Sequence, residues 1–234
     1  MGFSLANRPP DRPARRAWPI LGQVTAQRSL VVGLTGGIGT GKSRVTDLLH
    51  QLGAAVECSD VIVRELQAPG GQALEHIALA FGRDYLTPRG ELDRAKLGAL
   101  VFHDPSARRK LNDIIHPLVF AELRRRLEAH RKAGVPVIVL DIPLLHEGHR
   151  AGRGSGAALP FDLVVTVYAR PETQLARVMA RDKLGQEHAL ARIRSQMPID
   201  EKRKLGDVVI ENDGDWSETE AQVRALYGSL LEEP

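Results

Sequence analysis

Residues 30–44 constrain the fold more tightly than any other stretch of this chain. An apolar run, Leu30-Val31-Val32, leads into Gly36-Gly37-Ile38-Gly39-Thr40-Gly41-Lys42-Ser43. Arg44-Val45-Thr46-Asp47-Leu48-Leu49 then follows with helical spacing. The letters match the G-x-x-x-x-G-K-[ST] phosphate-binding loop in its strand–loop–helix setting. Glycines let such a loop wrap tightly, so that successive backbone N–H groups point at phosphate oxygens. A lysine at position 42 reaches the β- and γ-phosphates, and the Ser43 hydroxyl is placed to ligate Mg²⁺. The helix that follows offers its positive N-terminal end to the same anion. An incidental Gly-rich turn would explain the letters but not the flanking strand and helix. The expected nucleotide contacts are Gly36, Gly37, Ile38, Gly39, Thr40, Gly41, Lys42, Ser43 and Arg44.

Downstream, strand and helix patterns alternate, which predicts a parallel sheet with helices on both faces. Strands are expected over 28–34, 54–57, 137–140, 163–168 and 208–210. Helices are expected over 43–52, 60–67, 73–81, 92–102, 105–133, 171–181, 187–196 and 216–231, with that over 105–133 interrupted at His116-Pro117. Residues 1–28 differ from the rest: they are rich in Arg and Pro and hold no apolar run long enough for a signal peptide or a membrane span. They are expected to form a disordered extension, with the folded domain occupying 29–234.

Charge and cysteine content narrow the functional classes. The chain has 32 basic against 29 acidic side chains, a net charge of only +3. A dedicated nucleic-acid binder concentrates far more positive charge on one face, so neither nucleic acid nor membrane is an expected partner. The single Cys58 excludes an internal disulfide and a multi-cysteine zinc site, and fits a reducing, cytoplasmic setting.

Three further sets of residues carry candidate chemistry. Asp60 follows the second expected strand, and the carboxyl ends of strands line the ligand crevice of open α/β sheets. It can orient or deprotonate an attacking hydroxyl, or simply cap the next helix. Asp141 closes the buried run Val137-Ile138-Val139-Leu140. An acid there can enter the Mg²⁺ shell, or cap the turn before Pro143. Arg177, Arg181, Arg192 and Arg194 lie on charged helices, which are either solvated faces or a lid that neutralises transferred phosphoryl charge.

Taken together, these residues resemble the dephospho-CoA kinase family. Gly36–Ser43, Ser59-Asp60, Leu92-Asp93-Arg94, Val101-Phe102 and His116-Pro117 occur in that family's order. So do Pro143-Leu144-Leu145 with Glu147, Arg181-Asp182, Gln196-Met197-Pro198 and Ile210-Glu211-Asn212. The resemblance runs from about Leu30 into the C-terminal helix. It implies a P-loop NTPase-type three-layer α/β/α fold, with a helical substrate-binding region over about 60–133 and a lid over about 177–200. It also implies ATP-dependent phosphorylation of the ribose 3′-hydroxyl of dephospho-CoA, the last step of coenzyme A synthesis. Asp60 then matches the catalytic aspartate, Lys42 and Ser43 the phosphate and magnesium ligands, and Arg181 the lid.

Two departures from the family pattern stand out. Cys58 occupies a position where the family often has an acid, and is expected to be a small buried residue at a strand end. The Gly/Ala/Arg-rich stretch 148–159 is longer than the usual connection and is expected to be a flexible surface loop. His116 is expected to be structural, and His103, His146 and His149 lack metal-ligand spacing. Rival activities are a kinase for another nucleotide or small alcohol, and a nucleotide-dependent switch ATPase.

Overall fold

A computed structural model of the chain describes residues 28–150 and 159–232. Most of the expected N-terminal extension, the stretch 151–158 and the side chain of His149 lie outside the described residues. In chain order the elements are β1 (Leu30–Gly36), α1 (Lys42–Gln51), β2 (Ala55–Cys58), α2 (Ser59–Leu66) and α3 (Gln72–Phe81). After a 3₁₀ turn at Arg83–Tyr85 come α4 (Arg94–His103), α5 (Pro105–Lys132), β3 (Val137–Asp141) and α6 (Leu145–Arg150). The chain ends with β4 (Leu163–Tyr168), α7 (Pro171–Asp182), α8 (Gln186–Arg194), α9 (Ile199–Leu205), β5 (Val208–Glu211) and α10 (Trp216–Glu232).

The described residues divide into two compact units, the second formed by 57–128 and the first by the remainder. The first is a three-layer α/β structure on a five-stranded parallel sheet, in the order β2-β3-β1-β4-β5. Central β1 runs parallel to β3, with Leu34 beside Asp141, and parallel to β4, with Gly36 beside Val167. β3 and β4 are buried along their whole length, which explains why both read as unbroken apolar runs. Alternate residues sort onto the two faces. Val32, Leu34, Val137, Val139, Val165 and Val167 pack with Val45, Leu48 and Leu49 of α1 and with Val223, Leu226 and Leu230 of α10. On the opposite face, Gly33 lies so close to Phe161 and Leu145 that an added Cβ would sit 2.9 Å from the Phe161 ring.

The second unit is helical. Asp93 caps α4, its carboxylate accepting the Lys96 N–H at 2.9 Å. Arg126 of α5 pairs with Glu122 at 2.7 Å, with Glu57 at 3.1 Å and with Glu65. In this way it ties α5 to the end of β2 and to α2. α5 continues through Pro117 as one 28-residue helix, correcting the expected break at His116-Pro117. A proline forfeits its own N–H bond but only interrupts a helix when the remaining turns cannot hold it. Here Ile115, Val119, Leu123 and Leu127 are all buried, so side-chain packing carries the helix across. Two helices that the sequence pattern did not suggest, α6 and α9, are both short. Among the described residues, no helix is long and apolar enough to cross a membrane.

Candidate active site

The phosphate loop begins where β1 ends, at the carboxyl edge of the sheet. Gly39 and Gly41 have φ of +80° and +82°, a region in which L side chains are strained. Space is equally tight: a Cβ on Gly39 would lie 2.7 Å from the Gln174 carbonyl oxygen, and one on Gly41 would overlap the Asn212 amide. The loop is closed internally by Thr40, whose N–H and hydroxyl both donate to the Gly37 carbonyl, at 3.2 and 2.9 Å.

Side chains from later elements hold the loop from outside. Asn212, just beyond β5, donates through Nδ2 to the Thr40 carbonyl at 2.7 Å. Its own Oδ1 is fixed by the Thr219 hydroxyl at 3.0 Å. The Ile38 N–H donates to Gln196 Oε1 at 3.0 Å, and Arg177 reaches the Gly39 carbonyl at 3.5 Å. Buried Gln174 donates to the Ala169 carbonyl at 2.8 Å, and its side-chain oxygen lies against Gly37.

Lys42 opens α1 and forms an ion pair with Asp141 at the end of β3. The pair is largely buried, with side-chain exposures of 14% and 5%. The other Asp141 oxygen accepts the Thr46 hydroxyl at 3.2 Å. Thus the lysine and the acid singled out in the sequence are brought together. Ser43, one residue along α1, is exposed at the helix N-terminus. Arg44 stacks over Trp216, with its guanidinium carbon 3.8 Å from the ring centroid.

Beneath the loop lies Lys202 of α9, with 0% of its side chain exposed. Its Nζ donates to the carbonyls of Gly36 at 3.2 Å and Pro143 at 3.0 Å, and pairs with Glu147 at 2.8 Å. Burial pulls the Lys202 pKa below its usual value, and Glu147 offsets part of that fall.

The remaining expected site residues make contacts of their own. Asp60 belongs to the second unit, in the first turn of α2. Its side chain is exposed and has no hydrogen-bond partner among the described residues. Cys58, not Asp60, occupies the cap position, so the capping role weighed for Asp60 is not the one observed. Cys58 is half-buried rather than buried. Arg181 forms a two-pronged pair with Asp182, at 2.7 and 3.0 Å, and is 63% exposed. Arg192 joins the same carboxylate at 2.8 Å. Of the charged-helix arginines, Arg177 is the one that touches the phosphate loop.

Gln174, Gln196, Asn212, Lys202 and Glu147 were not expected to have site roles. Two of them carried a signal in the sequence. Asn212 follows a strand at the edge that binds ligands in such sheets. Lys202 lies in Pro198-Ile199-Asp200-Glu201-Lys202-Arg203-Lys204-Leu205-Gly206, which has acids early, bases late and glycine after, as a helix does.

Comparison with known proteins agrees with this geometry. The family profile for dephospho-CoA kinase matches residues 30–218. The chain belongs to the dephospho-CoA kinase family. A dephospho-CoA kinase from Symbiobacterium thermophilum is 45% identical over 197 residues, covering 84% of this chain and 80% of that protein. One from Bacillus thuringiensis is 43% identical over 198 residues, covering 85% and 96%. The solved structure of dephospho-CoA kinase from Campylobacter jejuni superposes with a TM-score of 0.63 at 28% identity, covering 86% of this chain and 96% of that one.

Proposed function

We propose that this chain transfers the γ-phosphoryl group of ATP to the ribose 3′-hydroxyl of dephospho-CoA, giving coenzyme A and ADP in the cytoplasm. The observation that carries the proposal is the buried Lys42–Asp141 pair at the mouth of a glycine-strained phosphate loop, in a chain of this family. A cation and an acid side by side at a phosphate loop are what the binding of a triphosphate with its metal asks for, which supports the reading.

The donors present suit Mg²⁺. Ser43 and Asp141 offer hard oxygen ligands, and Mg²⁺ in kinase sites takes only one or two protein oxygens besides phosphates and water. These two residues would hold it. When bound, the ion neutralises charge on the phosphate oxygens.

The chain's own residues account for the rest. Backbone amides of the loop and the N-terminus of α1 bind the phosphates. Lys42 exchanges part of its contact with Asp141 for the β- and γ-phosphates. Asp60, an exposed carboxylate with no hydrogen-bond partner among the described residues, orients the 3′-hydroxyl and accepts its proton as the oxygen attacks phosphorus. The bond from the γ-phosphorus to the bridging oxygen breaks in line, and ADP leaves. Arg177 and Arg181 belong to the expected lid, which would exclude water and limit wasteful hydrolysis. Arg181 would leave Asp182 to meet the transferred group.

The test is ADP release from MgATP with each of a panel of acceptors: dephospho-CoA, nucleoside monophosphates, and DNA or RNA. Release that depends on dephospho-CoA is expected. Equal release with a nucleoside monophosphate, or stimulation by nucleic acid alone, would contradict the proposal.

A further inference from the structure

Burying an ammonium group is costly unless fixed acceptors replace its water. Lys202 is fully buried, yet phosphoryl transfer as described above does not use its charge. Its acceptors frame the nucleotide site. Gly36 is the last residue of β1 and the first of the phosphate loop, and Pro143 lies two residues beyond Asp141. Glu147, the counter-charge on α6, also accepts the Met197 N–H at 3.0 Å. Neighbouring Gln196 accepts the Ile38 N–H. Segment 196–202 is therefore fastened to the loop at both ends, directly after the charged helices α7 and α8. An apolar side chain at position 202 would fill the same volume without tying the two carbonyls together.

We propose that Lys202, held by Glu147, is a positioning residue for the nucleotide. It sets the start of the phosphate loop against the turn after Asp141, and so fixes the separation at which Lys42 and Asp141 meet the triphosphate. It also anchors the chain end of the α7–α8 lid to that loop. The proposal rests on reading the loop as an ATP site but not on the identity of the acceptor.

The variants Lys202→Met and Glu147→Gln, alone and combined in the full-length chain, test it. Lys202→Met by itself leaves Glu147 without its counter-charge, so it should lose stability for reasons unrelated to nucleotide. The double variant removes both charges, and the amide introduced by Glu147→Gln can still accept the Met197 N–H. Three quantities are measured: thermal unfolding midpoint, MgATP affinity by calorimetry, and KM for ATP against KM for dephospho-CoA. The double variant should recover most of the lost midpoint yet bind ATP about ten-fold or more weakly. Its KM for ATP should rise by a similar factor, with KM for the acceptor unchanged. Wild-type ATP affinity in the recovered double variant would overturn the proposal and leave Lys202 as scaffold only. If neither Met-containing variant folds, Lys202→Gln decides, since it can still donate to one of the two carbonyls. An intermediate ATP affinity supports the proposal; wild-type affinity overturns it. A wild-type chain that binds ATP but makes no coenzyme A would sink the acceptor assignment while leaving this test intact.

Discussion

Gly41 and Asp60 pose opposite demands on a substitution. Gly41 combines a φ of +82° with a side chain, Asn212, pressed against its Cα. Gly41→Ala should therefore cost about 1–3 kcal/mol of stability and displace the Asn212 amide from the Thr40 carbonyl. Calorimetry should find MgATP binding weakened by about ten-fold or more, and unchanged affinity would contradict the loop geometry. Asp60 is exposed and has no hydrogen bond or ion pair among the described residues. Asp60→Asn should leave the urea midpoint within about 0.5 kcal/mol of wild type and cut turnover on the order of 100-fold or more. Normal turnover by that folded variant would remove Asp60 from the role of base.

At the scale of elements, the long helix α5 depends on an ionic cluster with a definite pH signature. Arg125, followed by Arg126, holds the Glu122 carboxyl down to about 2 from an ordinary 4.5. A depressed carboxyl contributes stability above its unfolded pKa and loses it as pH falls through the folded value. Glu122→Gln should thus converge with wild type as pH falls below about 2 and be less stable by about 1 kcal/mol above pH 4.5, as read from urea midpoints across that range. A constant difference at all pH values would contradict it. The same helix shows where sequence pattern succeeds and fails. The buried strands β3 and β4 were legible because a strand covered on both faces must be apolar throughout. The break expected at Pro117 did not occur, because tertiary packing outweighs a local preference. Short α9 was missed because seven residues carry little periodicity, although its charge order was visible. That omission hid Lys202, whose burial depends on carbonyls of Gly36 and Pro143, far away in sequence. The phosphate loop itself was legible in full, since its chemistry is local. Its outer clamps, Gln174, Gln196 and Asn212, are long-range contacts that no short window contains.

For the whole molecule, the proposed activity has two halves, ATP as donor and dephospho-CoA as acceptor. Family membership and the Lys42–Asp141 pair support the donor half from independent directions. The acceptor half was legible only through the resemblance, because no motif in the helical unit spells out dephospho-CoA by its chemistry. Regiochemistry is the most demanding part of the claim, since a kinase of similar fold could phosphorylate a different hydroxyl. The decisive measurement is mass spectrometry, with fragmentation, of the product formed from MgATP and dephospho-CoA. The expected product gains one phosphate, located on the ribose 3′-oxygen, in step with ADP formation. A product unchanged in mass, or phosphorylated at another position, would contradict it.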